Sequence, residues 1–226
     1  GFSYEGYPLS SVFSIPFLGL TNEGMPRFYN ERGVETLGDF NFSSSNINFL
    51  KYSGTLDPTD VGTLTNTFRY KNFTLSANIN YEFGAVTRLR SISNTDDYSA
   101  FPRELTQRWK KPGDEAHTNI PRIPTSYAFD QYGADNLING FYAYSASTAR
   151  IVSTDLVRLK EISMEYTVSK TLLRRTPLKN LAVKLQAQNL MLLYSDARLR
   201  GDDPAYMYSS SVTAPKKLIL TLRVGL

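Results

Sequence analysis

Cysteine is absent from the chain, which excludes a disulfide framework and Cys-ligated metal sites. Histidine occurs once. His117 sits in the run Asp114-Glu115-Ala116-His117-Thr118-Asn119. That setting reads as a solvated loop and not as the base of a Ser-His-acid triad. No glycine-rich phosphate loop is present. The acidic pairs Asp96-Asp97, Asp114-Glu115 and Asp202-Asp203 lack the D-x-[DN]-x-[DN]-G spacing of a calcium loop, so they read as turn caps. No enzyme activity and no cofactor is expected. No apolar run approaches the roughly 18 residues of a transmembrane helix. The chain opens at Gly1 without a basic n-region or an apolar h-region, so no signal peptide is in view, and this reads as a missing start. The basic doublets Lys110-Lys111, Arg174-Arg175 and Lys216-Lys217 are scattered, and the net charge is only +4, so nucleic acid is not an expected partner.

What the sequence has in quantity is aromatic side chains and period-two patterning. There are 15 Tyr and 13 Phe in 226 residues, yet the mean hydropathy is −0.31. From Phe73 to Phe83 every second residue is apolar: Phe73, Leu75, Ala77, Ile79, Tyr81 and Phe83. The residues between them are all polar. A period of two sends side chains alternately to the two faces of an extended strand. At about 11 residues the run matches a strand tilted across a bilayer. The sequence therefore predicts an all-β fold, an antiparallel transmembrane β-barrel.

Six strands are expected, near 4–20, 63–70, 73–90, 151–168, 181–193 and 216–226. Pro8 and Pro16 make the first an irregular, edge-like segment. A phase slip at Lys160-Glu161 predicts a β-bulge. A short helix is expected near 103–110. The connections alternate: 21–60, 91–150 and 194–215 are long, while Lys71-Asn72 and 169–180 are short. Outer-membrane barrels show this parity, with long extracellular loops and short periplasmic turns. Six strands are too few to close a barrel, so the rest of the same barrel is an expected partner.

The alternation also assigns faces. Leu75, Ile79, Tyr81, Val183, Leu185, Leu220 and Leu222 are expected to face lipid. Asn78, Asn80, Glu82, Lys184, Gln186, Gln188 and Arg223 are expected to face the lumen or a plug. Tyr70 and Phe73 flank a short turn, where an interfacial aromatic belt belongs. Lys216-Lys217 would meet the phosphates of outer-membrane lipopolysaccharide or simply end a solvated strand. In the loops, Tyr127, Phe129, Tyr132, Phe141, Tyr142 and Tyr144 cluster within 91–150, and Tyr206 and Tyr208 within 194–215. Aromatic rings stack on sugars and pack on peptide side chains, so these residues are the candidate ligand contacts; packing of loop on loop is the alternative.

Five segments, in order, resemble the C-terminal end of the SusC/RagA-type TonB-dependent outer-membrane transporters of Bacteroidetes. They are residues 5–20 with Gly19-Leu20, residues 108–122 (RWKKPGDEAHTNIPR), residues 156–168 (LVRLKEISMEYTV) with their phase slip, residues 183–190 (VKLQAQNL), and Gly201-Asp202-Asp203-Pro204. The resemblance implies a 22-stranded barrel whose N-terminal plug lies outside this sequence. It also implies nutrient uptake, as TonB-driven import of oligosaccharides or oligopeptides across the cell outer membrane of a Gram-negative bacterium. The implied partners are TonB, reached through the N-terminal part, and a SusD-like surface lipoprotein acting as a lid over the long loops. The alternative from another class is a soluble extracellular β-sandwich that binds polysaccharide or mediates adhesion. In that fold the apolar strand faces would pack on each other.

Overall fold

The computed structural model describes residues 4–41, 47–89, 103–207 and 214–226. Twelve strands are described in chain order: β1 Ser11–Ser14, β2 Phe17–Leu20, β3 Pro26–Tyr29, β4 Glu35–Thr36, β5 Lys51–Thr55, β6 Asp60–Tyr70, β7 Phe73–Phe83, β8 Val86–Arg88, β9 Ile151–Ser153, β10 Leu156–Thr167, β11 Asn180–Ser195 and β12 Lys217–Gly225. The helices are α1 Ser126–Tyr132, α2 Ala134–Ser145 and α3 Lys170–Leu173. The pairs β1–β5, β2–β3, β3–β4, β6–β7, β7–β10, β10–β11 and β11–β12 are antiparallel, and no described helix is long and apolar enough to cross a membrane. The chain divides into two compact units, one of residues 1–56 with 86–152, the other of 57–85 with 153–226.

The second unit is one antiparallel sheet in the order β12-β11-β10-β7-β6. The hairpin β6–β7 turns through Lys71-Asn72, with Lys71 at φ 51 and Tyr70 paired to Phe73. The register of β10 against β7 and β11 shifts between Leu159 and Glu161, where the phase slip in the sequence put a bulge. β7 stops at Phe83 and does not run on to 90. Gly84 follows at φ 88, a left-handed turn in which its N–H donates to an Asp155 carboxylate oxygen at 2.7 Å.

The first unit departs from the expected plan. The segment 4–20 is not a sixth strand of the large sheet. Pro16 interrupts it, and its two short strands pair separately, β1 with β5 and β2 with β3. The stretch expected as a bare loop over 21–60 contains β3, β4 and β5. Within 91–150 lie two helices and 3-10 turns at Arg103–Gln107 and Asp114–Ala116, the first falling where a short helix was expected. Helix α2 packs through Leu137, Gly140, Ala143 and Tyr144, which recur at helical spacing. Leu137 joins Met25 and Ala128 in one cluster; Ala143 and Tyr144 join Ile15 and Phe28 in another.

Candidate functional site

The sheet of the second unit has two chemically distinct faces, set by register. On one face the rows cross all five strands: Tyr70, Phe73, Tyr166, Val183, Leu222; then Phe68, Leu75, Met164, Leu185, Leu220; then Asn66, Ala77, Ile162, Ala187, Leu218. A fourth row runs Leu64, Ile79, Leu159, Met191. Asn66 is the one polar residue in these four rows. Tyr81 continues this face opposite Gly62 and stacks on Phe83 with ring centroids 5.4 Å apart. These rows are not a buried core. Leu218 is 73% exposed, Leu220 71%, Phe68 62% and Leu75 45%.

The opposite face is a polar hydrogen-bonded surface. Across the hairpin, Thr63 pairs with Asn80 at 3.2 Å, Asn78 donates to Thr65 at 3.3 Å, and Thr67 meets Ser76 at 2.9 Å. Across β10 and β11, Gln186 and Gln188 each donate to the Glu161 carboxylate at 2.9 Å. Arg223 reaches over β11 to Glu165 on β10 at 3.1 Å. At the other end, Arg158 bridges to Asp203 at 2.5 Å. Glu82 and Lys184 share this face by register. The seven residues expected on the wet side thus lie on one face, and the seven expected on the greasy side lie on the other.

The loop aromatics divide by environment. Tyr127 and Tyr142 are exposed on α1 and α2. Phe129 and Tyr132 pack on the Met25-Ala128-Leu137 cluster. The Tyr132 hydroxyl donates to the Glu23 carboxylate, which, with burial, raises its pKa above the usual tyrosine value. Phe141 and Tyr206 are half-buried, Tyr206 at the end of the turn Pro204–Tyr206. Tyr208 lies outside the described residues.

Tyr144 requires correction as a ligand contact. It is 1% exposed, and its ring meets Phe17 edge-on at 5.7 Å. It is a core residue because it falls on the inner face of α2 with Leu137 and Gly140. Burial pushes its hydroxyl up to about 12. Over the ring, 5.5 Å from its centroid, lies the guanidinium of Arg150, which forms a two-pronged pair with Glu104, both bonds 2.8 Å. Burial works against the Arg150 charge, but Glu104 and the Tyr144 side chain outweigh it, and its pKa is raised. The inner stripe Leu137-Gly140-Tyr144 is the signal that could have revealed this packing in the sequence.

His117 is exposed, and among the described residues no three His, Asp or Glu side chains are placed to hold a metal ion. Trp109, the sole tryptophan, is buried, and its indole N–H donates to Glu115 at 2.9 Å. That bond holds the Glu115 carboxyl below its usual range.

The fold is that of a stretch of RagAB peptide importer chains. The 'open-open' state of the RagAB peptide importer matches 98% of this chain at TM-score 0.63 and 16% identity. A second RagAB peptide transporter structure matches 88% at TM-score 0.58 and 18% identity. The 'closed-closed' state matches 84% at TM-score 0.56 and 18% identity. This chain spans 23%, 20% and 20% of those chains. No protein-family model and no curated protein matches the sequence.

Proposed function

We propose that this chain forms part of the wall of an outer-membrane β-barrel that imports oligopeptides or oligosaccharides. In this reading it is a transporter of the SusC/RagA kind and not an enzyme. It is energised by TonB through a plug outside this sequence and covered by a SusD-like surface lipoprotein. The observation that carries the proposal is the pair of faces on the five-stranded sheet. A continuous apolar face left exposed over five long strands is expensive in water, and it matches a lipid-facing wall. The ten residue steps from Phe73 to Phe83 cover about 34 Å along a strand. Tilted by about 40°, they rise about 26 Å, close to the apolar band of about 25 Å in such barrels.

The aromatic row Tyr70-Phe73-Tyr166 sits beside the short turn, where an interfacial girdle belongs. Phe73 and Tyr166 contact each other with centroids 4.7 Å apart. The polar face, with its Thr-Asn ladder and its Glu161 and Glu165 bridges, suits a hydrated lumen or a plug surface. The edges of β6 and β12 would continue into further strands of the same barrel. The cargo of the structural neighbours supports a peptide substrate for this chain as well. A β-sandwich would bury the apolar rows under a second sheet, and their exposure weighs against it.

The test is fractionation followed by uptake. The full-length protein is expected in the outer-membrane pellet, resistant to carbonate and released by detergent. A strain lacking it is expected to lose TonB-dependent uptake of labelled oligopeptides or oligosaccharides. Recovery of the protein in a soluble fraction, or uptake unchanged in the deletion strain, would overturn the proposal.

A further inference from the structure

The irregular run that follows the turn Arg103–Gln107 forms one side of a basic cleft in the first unit. Trp109 is buried, and it lines the cleft together with its neighbours Arg108 and Lys110. The Trp109 N–H donates to the Ile120 carbonyl at 2.9 Å, which brings residues 120–125 alongside. The Arg122 N–H then donates to the Gly24 carbonyl at 3.0 Å, fixing the backbone from which its guanidinium extends. The result is an open cleft of about 420 Å³ lined by Arg108, Lys110, Arg122, Ile123, Pro124 and Thr125 among others.

Three properties point to a ligand. Three cations line the cleft, and no carboxylate does so among the described residues. The Arg122 Nε is buried without a hydrogen-bond partner. Neither Arg122 nor Lys110 forms an ion pair among the described residues. A neighbouring cleft shares Arg108 and Lys110, but Asp114 lines it as well. Asp114 is already engaged by the N–H groups of Lys110 and Lys111, at 3.0 and 3.1 Å. The first cleft is thus lined by three cations with no carboxylate among its lining residues.

We infer that this cleft binds the carboxylates of an acidic oligopeptide. Guanidinium groups match carboxylates through two parallel N–H···O bonds, and charge-assisted bonds of this type are the stronger ones. Ile123 and Pro124 supply an apolar wall on which the peptide's neighbouring side chains pack, which a bare inorganic anion would not use. A lone charge would leave the site positive. A segment with two or more Asp or Glu residues neutralises more of it. The inference deepens the import reading, and it rests on that reading for the source of the peptide.

The experiment is calorimetric titration of the full-length protein in detergent. The probes are a synthetic hexapeptide with three Glu residues, the same peptide with Gln in their place, and inorganic phosphate. The acidic peptide is expected to bind about tenfold more tightly than its Gln counterpart, the effect of one good charged hydrogen bond. Arg122→Gln and Lys110→Gln are each expected to weaken it by about fivefold or more. Arg122→Lys keeps the charge but loses the two-pronged match, so it is expected to weaken binding less than Arg122→Gln does, and added NaCl weakens the acidic peptide alone. Equal affinity for the two peptides, unchanged affinity in both Gln variants, or displacement of the peptide by equimolar phosphate would overturn the inference. Binding in detergent is read separately from import. Loss of the acidic preference with uptake of neutral peptides intact removes the cleft alone. A soluble protein removes the transport reading whatever the cleft binds.

Discussion

Arg150 and Glu104 meet in two hydrogen bonds of 2.8 Å each, with the arginine side chain 2% exposed and the glutamate 14%. The pair fastens the turn Arg103–Gln107 to the chain just beyond α2. Removing one partner strands a buried charge, and such a loss costs about 3–5 kcal/mol. Glu104→Gln is therefore expected to lower the melting temperature and to speed proteolysis between residues 103 and 150. The double variant Glu104→Leu/Arg150→Met is expected to regain part of the loss, because it leaves neither charge behind.

The same cluster makes stability depend on alkaline pH. Tyr144 titrates near 12 in the folded chain, against about 10 when unfolded. A raised folded value means the contribution is complete below pH 10 and is lost as pH climbs through 12. The unfolded chain gives up its proton first over that window, at a cost of about 3 kcal/mol to the fold. Denaturant titrations from pH 9 to 12 are expected to show this loss, and Tyr144→Phe is expected to flatten the curve. A Phe variant with the same steep decline would exclude Tyr144 as its source.

The sheet was legible in the sequence because period two is a strong signal over 11 residues. Both faces, the two-residue hairpin and the bulge at Lys160-Glu161 all followed from phase. The first unit was not legible, and the reasons are local. Its strands run two to five residues, too short to show a period. Helix α2 mixes Asn136, Asn139 and Ser145 with a single narrow apolar stripe, so its inward Tyr144 resembled the outward Tyr142. The Arg150–Glu104 pair spans 46 residues, and no sequence period reports a contact of that range. The cleft around Arg122 likewise depends on the backbone pairing of Trp109 with Ile120.

Gly24 and Trp109 form a close packing of backbone on ring. A Cβ at position 24 would stand 2.5 Å from Trp109 Cδ2, and the residue holds φ 77. Gly24→Ala thus meets both a left-handed backbone penalty and a clash, together about 2–4 kcal/mol. Trp109→Leu alone loses packing and the indole bond to Glu115. In the double variant the clash is gone, so its stability loss is expected to fall short of the sum of the two single losses. Thermal melts of all four proteins give the coupling energy directly.

Asp203 serves two neighbours with one carboxylate. Its Oδ1 accepts from Arg158 at 2.5 Å and from the Ala205 N–H at 3.1 Å. The first bond secures the loop beyond β11 to the N-terminal part of β10. The second caps the turn Pro204–Tyr206. Asp203→Asn keeps an acceptor for the cap but removes the charge facing Arg158, for a loss of about 1–3 kcal/mol. Faster protease cutting within residues 196–207 is the expected sign, with the rest of the sheet unaffected.

The two faces of the sheet give the sharpest contrast. Ile79 lies between Leu64 and Leu159 on the apolar face, while its neighbour Asn78 lies between Thr65 and Glu161 on the polar one. If the apolar rows meet acyl chains, Ile79→Arg places a cation in the bilayer at a cost of about 2–4 kcal/mol. Asn78→Arg instead brings a cation beside Glu161 in water, and little loss is expected. Asn80 is a poorer control, since it pairs with Arg158 and an arginine there would set like charges opposite each other. The yield of heat-modifiable folded protein in detergent and in outer-membrane fractions separates the two outcomes. Equal yields for Ile79→Arg and Asn78→Arg would defeat the assignment of lipid to one face and water to the other, because a strand in uniform surroundings has no reason to distinguish neighbouring positions.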